Sequence, residues 1–301
     1  MDRLEAMSLL LAAVEAGSLS GAARRLDRPL STVSRHVAEL EAHLGVRLFV
    51  RAGRRLELTG IGADYVAAAR RILDDVREAE RAAAGEHAGI RGELVVTAPI
   101  VFGRRHVLPV VAEFLAAHPD VDVRLVQADR VLHLVDEHLD VAVRIGPLPD
   151  SALLAARVGE VRRVVCASPD WLERHGEPAT PDALAGLCCV TFDGAGRGGR
   201  WTFGAGARRR RVAVRSRLLV DTAEAAVDAA IAGVGPTRVL SYQVADAVRQ
   251  GALRIVLADA EPAPLPVSLV HGPRGPVTSK VRAFLDFARP RLARALGEDA
   301  R

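Results

Sequence analysis

Arginine and hydroxyl side chains crowd one short stretch of this chain. Between Arg24 and Arg55 stand eight arginines against three acids, Asp27, Glu39 and Glu41, while the whole 301-residue chain carries a net charge of only +4. The basicity is therefore local. That suits a directed contact with a polyanion and argues against the nonspecific coating expected of a bulk polycation. Within the stretch, Ser31, Thr32, Ser34, Arg35 and His36 fall close together, and Arg51, Arg54 and Arg55 follow. A guanidinium is a planar fork of N–H donors that fits phosphate oxygens and the acceptor edge of guanine, and a hydroxyl can bond to either. The chemistry implied is recognition, not bond making.

Such side chains need rigid elements to aim them. Ser20 is placed to cap a short helix over residues 21–26, in which Ala22 and Ala23 let a second helix cross closely. Asp27-Arg28-Pro29 breaks it, because Pro29 cannot continue a helix and disfavours helical geometry at Arg28. Ser31 or Thr32 is expected to cap the next helix, which stops at Gly45. Its apolar face is Val33, Val37, Leu40 and Leu44; its polar face carries Thr32, Ser34, Arg35 and His36. Two strand-like runs, residues 47–51 and 54–59, flank the turn Ala52-Gly53 and carry the three arginines at or near its tip. Two helices followed by a basic hairpin make a winged helix-turn-helix, whose second helix enters the major groove of double-stranded DNA. An ordinary amphipathic hairpin explains the helix pair alone; the basic wing favours the nucleic-acid reading.

The chain here resembles the LysR-type transcriptional regulators. Shared motifs are Met1-Asp2-Arg3-Leu4, Glu15-Ala16-Gly17-Ser18-Leu19-Ser20, Ala22-Ala23, Val33-Ser34-Arg35-His36-Val37, Leu40-Glu41, Leu44-Gly45-Val46-Arg47-Leu48-Phe49, Arg51, Arg55 and Leu58-Thr59. The spacing runs to about residue 60 without a gap, and a looser likeness continues beyond it. The turn Asp27-Arg28-Pro29-Leu30 departs from the family, which often has Ser or Gln there. The resemblance implies an operator-binding N-terminal domain, a long dimerising helix and a C-terminal α/β domain of two periplasmic-binding-protein-like lobes that senses a small molecule. It also implies self-association as a dimer or tetramer.

The rest of the chain fits that plan. A first helix, residues 3–16, has Leu4, Met7, Leu11 and Val14 as its stripe. Residues 61–84 lack proline, and Tyr65, Ala69, Ile72, Val76, Ala79 and Ala83 follow a heptad spacing. That seam suits a homodimer; the bland alternative is packing on the helix's own domain. The domains expected are a winged helix at 1–60, the dimerisation helix at 61–84, a hinge linker at 85–92 and an effector-binding domain at 93–301. Within the last, lobe I takes 93–162 and 268–301 and lobe II takes 163–267, with crossings near 160–164 and 266–270. Strands alternating with helices support α/β lobes, including a helix at 131–137.

Ligands of open α/β sheets bind beyond the carboxyl ends of strands. The ends named are Thr97, Pro99, Ile100, Val101 and Phe102, opening a helix N-terminus able to take an anion; Ala128 and Asp129; Arg144; Thr222; and Pro236 with Thr237. Hydroxyls, N–H groups and Arg144 among apolar neighbours suit a small organic effector, an organic acid, with Arg144 pairing its carboxylate. Each of these residues is also explained as a turn or cap. The run Arg208–Arg211 reads either as a second nucleic-acid site or as a solvated cluster.

No GxSxG, P-loop or dinucleotide-type GxGxxG site is expected, and the nine histidines lack metal-ligand spacing, so no enzyme, metal or cofactor is expected. Cys166, Cys188 and Cys189 are too few for a disulfide framework, leaving buried free thiols or a redox pair. No apolar run reaches the roughly 18 residues of a membrane span, and Asp2, Arg3 and Glu5 interrupt the opening apolar run, so a cytoplasmic protein without a membrane partner is expected. The alternative to an effector-sensing regulator is an effector-independent DNA-binding protein with a vestigial α/β domain.

Overall fold

Asp2 opens the chain's first helix, its carboxylate accepting the N–H groups of Leu4 and Glu5. The computed structural model describes residues 2–52, 55–83, 90–134, 137–148, 154–192, 199–272 and 277–299. The chain forms two units, 1–92 and 93–301.

In the first unit, α1 (Arg3–Glu15) is central. Leu9, Ala12 and Ala13 pack with Ala22, Ala23 and Val33 of α2 (Leu19–Arg25) and α3 (Leu30–Leu44). Ala6, Leu10 and Leu11 pack with Val66, Ala69 and Leu73 of α4 (Gly60–Ala83). The expected stripe of α1 is thus too narrow: a helix between two neighbours buries two faces, while Leu4 is exposed. The cap of α2 is Ser18, which accepts from Gly21 N–H, rather than Ser20. α3 begins a residue earlier than its expected caps, after Pro29 and without a side-chain cap, and stops at left-handed Gly45. Strands β1 (Phe49–Ala52) and β2 (Arg55–Leu58) pair antiparallel as the wing.

The second unit holds two five-stranded sheets. Lobe I runs in the order β4-β3-β5-β14-β6, from β3 (Gly92–Ala98), β4 (Val121–Gln127), β5 (Val141–Ile145), β6 (Leu154–Val161) and β14 (Leu265–His271). Against it pack α6 (Leu108–Ala117), entered through α5 (Ile100–Phe102) and a π-helical segment (Gly103–Val107), and α10 (Ser279–Asp299). Lobe II runs β11-β8-β12-β7-β13, from β7 (Arg163–Ala167), β8 (Cys188–Phe192), β11 (Arg215–Val220), β12 (Thr237–Leu240) and β13 (Arg254–Val256). Its helices are α7 (Pro169–His175), α8 (Ala223–Ile231) and α9 (Ser241–Arg249), and a hairpin, β9 (Arg200–Phe203) with β10 (Arg210–Ala213), covers its core with Trp201 and Phe203.

Three expectations need correction. The chain returns to lobe I before Leu265, not within 266–270, because all of β14 pairs with β5 and β6. Pro262 and Pro264 mark the irregular crossing just before it. Residues 131–133 have no regular structure; Leu132 and Leu134 bury as loop anchors instead. The expected linker 85–92 lies mostly outside the described residues, and Gly92 already belongs to β3.

Candidate functional site

The reading face is built by locking α3 to the wing. Glu41 of α3 is almost buried; its carboxylate accepts the N–H groups of Leu48 (2.7 Å) and Phe49 (3.1 Å) and pairs with Arg47 (3.1 Å). Thr59 then ties the wing to α4: its hydroxyl donates to the Arg47 carbonyl (2.8 Å) and accepts from Gly62 N–H (2.8 Å). Gly62 has no room for a side chain, since a Cβ there would sit 2.1 Å from the Leu48 carbonyl oxygen. These contacts of Glu41 and Thr59 fix the wing against its two helices.

On α3, Val33, Val37 and Leu40 are buried, whereas Ser31, Ser34 and Arg35 are exposed and Thr32 is half-buried. Arg35 lies 3.9 Å from Glu39, one turn on, a loose pair that leaves its donors available. His36 does not share that face. It is 9% exposed, one ring nitrogen lies 2.9 Å from the Thr32 carbonyl, and the other lies 3.6 Å from Glu5 of α1. It braces the helix pair, because position 36 falls between the apolar positions 33, 37 and 40. Two exposed neighbours escaped the sequence reading: Leu30, at the first turn of α3, and Ala38, one turn beyond Ser34. For Arg51, Arg54 and Arg55 the strand register Arg51↔Leu56 and Ala52↔Arg55 puts 51 and 55 beside the wing's turn, while Arg54 and all three side chains lie outside the described residues.

The heptad seam is divided. Ala69 is fully buried and Tyr65 partly buried against the module's own core, so the intramolecular alternative holds for them. Ile72 is 42% exposed and Val76 half-buried, while the side chains of Ala79 and Ala83 lie outside the described residues.

Between the two lobes of the second unit lies a cavity of about 140 Å³. Pro99, Asp129, Ile145 and Leu265 line it from lobe I, and Arg163, Phe192, Arg238, Val239, Leu240, Tyr242 and Gln243 from lobe II. Of the eleven residues expected there, only Pro99 and Asp129 are in place. Asp129 caps the helix that opens at Ile100, accepting its N–H at 3.1 Å, so that N-terminus is already occupied by an anion. Thr97 is buried in β3, and Ala128 packs on the core of lobe I. Val101 and Phe102 are buried, Phe102 meeting Tyr242 edge-on at 5.3 Å, and Ile100 is half-buried beside them. Arg144 turns to the other face of β5 and donates to the Leu132 carbonyl; its own burial lowers its pKa. Thr222 caps α8 at Ala225 N–H (3.2 Å), and Thr237 donates to the Val190 carbonyl (3.1 Å), with buried Pro236 accepting from Val190 N–H (2.9 Å). In each case a local backbone partner has claimed the polar group that was assigned to a ligand.

The polar and charged lining residues missed are Arg163, Arg238, Tyr242 and Gln243. The last two sit on α9, which follows β12 with no intervening turn and had not been expected. Gln243 accepts the Leu240 N–H (2.8 Å), fixing that junction. Burial raises the Tyr242 hydroxyl pKa, as does the charge of Asp129, so it stays a neutral donor. The lobes also meet through Arg105, which donates to both carboxylate oxygens of Asp246.

The comparisons with known proteins divide the chain at the same place. Residues 4–63 match the model for the bacterial regulatory helix-turn-helix protein, lysR family, and residues 87–293 match the LysR substrate binding domain. The chain belongs to the LysR family. An HTH-type transcriptional regulator of Xanthomonas campestris is 34% identical over 287 residues, covering 93% of this chain and 82% of that protein. The regulator CrgA of Neisseria meningitidis is 31% identical, covering 94% and 95%. The solved CrgA structure superposes with a TM-score of 0.61 over 97% of this chain and 98% of CrgA. The full-length AphB of Vibrio cholerae, described as a virulence activator, gives 0.60 at 25% identity, over 95% and 98%. This LysR-type transcriptional regulator thus has a helix-turn-helix DNA-binding domain and a two-lobed effector-binding domain.

Four further features of the LysR chain bear on rival readings. Residues 194–199 do spell G-x-G-x-x-G, but the strand β9 follows them where a dinucleotide site needs a helix. Among the described residues no cluster of three His, Cys, Asp or Glu would hold a metal ion. Arg208, Arg209 and Arg211 are exposed and Arg210 pairs with Asp182 at 2.6 Å, the solvated alternative for that run. Among the described residues no single helix is long and apolar enough to cross a membrane.

Proposed function

We propose that this regulator acts in the cytoplasm as a dimer or tetramer, reading double-stranded operator DNA with Ser31, Thr32, Ser34 and Arg35 against base edges and Arg51, Arg54 and Arg55 against the backbone. The single observation that carries the reading is the division of α3. Its apolar side and Glu41 are fully engaged, while Ser31 and Ser34 stand in solvent and Arg35 is held only by its loose pair with Glu39. Leu30 adds an exposed apolar group at the same end, suited to a thymine methyl. His36 is left out of the contact set.

Two reading heads match two half-sites, and Ile72 and Val76 are the described positions of the heptad seam left for a partner helix. Replacing both with Asp should give a folded monomer by light scattering, because an unpaired charge in a helix seam is costly. A small organic molecule in the interlobe cavity would then bias the arrangement of the heads through differential affinity for two states, and the protein would act by binding rather than catalysis. The test is a gel-shift titration with genomic fragments. Specific retardation by the wild type that is lost in Arg35→Ala supports the reading; equal retardation by both removes the base-reading role.

A further inference from the structure

Resting on the reading of the cavity as the effector site, we infer that its ligand is a small organic carboxylate with an apolar body, held between Arg163 and Arg238. The antiparallel pairing of β12 with β7 sets Leu240 opposite Arg163 and Arg238 opposite Val165. Arg163 and Arg238 are therefore diagonal neighbours on one face of the sheet, and both line the cavity.

Among the described residues neither arginine has a carboxylate partner. Arg238 is only 5% exposed; its one hydrogen bond goes to the Thr202 carbonyl (3.1 Å), and its buried Nε has no partner. Its guanidinium lies 5.5 Å from the Trp201 ring. Burial, and then the charge of Arg163, push the Arg238 pKa down to about 9, so it remains a cation at neutral pH and is short of an anion. A buried cation without an anion is costly to keep, and two on one face more so. Arg105, the other arginine that joins the two lobes, does have an acid, Asp246.

The walls decide the class of anion. Pro99, Ile145, Phe192 and Leu265 are apolar and suit a hydrocarbon body rather than a bare phosphate. Asp129, facing from lobe I, disfavours a second negative charge at that end. Gln243 Nε2, whose one protein contact is Tyr242 Oη at 3.5 Å, supplies a further donor.

The experiment uses the full-length chain with carboxylate and amide pairs of matched shape, from acetate and acetamide to benzoate and benzamide, with inorganic phosphate as an anion lacking an apolar body. Calorimetry and thermal melting are read on the wild type, Arg163→Met and Arg238→Met. At least one carboxylate is expected to bind and raise the melting temperature while its amide does not, and each variant should weaken that binding about tenfold or more. Unliganded Arg163→Met is expected to melt above the wild type, since it removes a half-buried charge that has no partner among the described residues. A melt below the wild type would make Arg163 a structural residue and overturn the inference. So would amides matching their carboxylates, phosphate binding as tightly as any carboxylate, or carboxylate affinity unchanged in both variants. If a neutral compound binds wild type and variants alike, the cavity remains an effector site and only the carboxylate falls. If no compound of either class moves the melt or the DNA affinity, the effector reading itself falls with it.

Discussion

Arginine serves both halves of this molecule, under opposite conditions. In the reading module Arg35 is 67% exposed with Glu39 loosely beside it; in the interlobe cavity Arg238 is 5% exposed and, among the described residues, paired with no acid. An exposed cation costs little to hold and acts on a polyanion through water, with strong salt dependence. A buried one is expensive to hold unless an anion is paired with it. The module also has its own polar groups satisfied by Glu41 and Thr59, whereas the cavity leaves Arg238 Nε bare. The module is preorganised around its scaffold, and the cavity holds a buried cation that its scaffold leaves unpaired.

The largest effect that would break this contrast comes from the scaffold. Gly62→Ala should cost about 3 kcal/mol, because the new methyl meets a backbone carbonyl that cannot move without shifting the wing. Urea unfolding followed at the N-terminal unit should show it, and DNA affinity should fall with it. An unchanged midpoint would mean that α4 and the wing are not rigidly joined. The next effect concerns the base-reading arginine: Arg35→Ala should lose about 1–3 kcal/mol of operator binding and relax one base pair per half-site. By contrast, Arg54→Ala should weaken operator and random DNA alike and reduce the slope of log affinity against log salt by about one unit. An unchanged slope would place Arg54 off the DNA.

The smallest effects belong to the second unit. Arg105, chiefly through its hydrogen bonds, lowers the pKa of Asp246. The stabilisation is therefore present above the unfolded carboxylate range and is lost as pH falls through the lowered folded value. Asp246→Asn should melt below the wild type at neutral pH by the equivalent of less than about 1 kcal/mol, since the carboxylate is half in water, and the difference should vanish in acid. Burial pushes the Cys166 and Cys189 thiols up to about 12, so at pH 8 both stay protonated. Alkylation followed by mass spectrometry should label Cys188, the half-buried member, well before the other two. Rapid labelling of Cys166 would reopen the redox alternative.

The module was legible because local rules decide it. Capping residues, a helix-breaking Pro29, a four-three apolar spacing and a basic turn all act within a few residues of each other, and the errors there are small. Ser18 rather than Ser20 caps α2, and His36 turns inward by the width of one helical position. The cavity was not legible, for two physical reasons. Strand ends are rich in hydroxyls and arginines whether or not a ligand is present, and Thr222, Thr237 and Arg144 proved to serve nearby backbone groups. The pairing of Arg163 with Arg238 exists only through a strand register spanning some seventy residues of sequence, which no local pattern encodes. A helix beginning directly at a strand's end hid Tyr242 and Gln243 as well. One signal was available: two arginines in runs otherwise apolar enough to be buried, Arg163 before Val164-Val165 and Arg238 before Val239-Leu240.

The central claim is that the exposed end of α3 reads bases, and the most direct test is to sequence the genomic fragments bound by the purified full-length protein and by Arg35→Ala. The wild type should enrich an inverted repeat whose half-sites are one helical turn apart, about 10 base pairs, or a multiple of it, and the variant should enrich the same repeat with one position per half-site degenerate. No enriched repeat with the wild type, or an identical motif from both proteins, would contradict it.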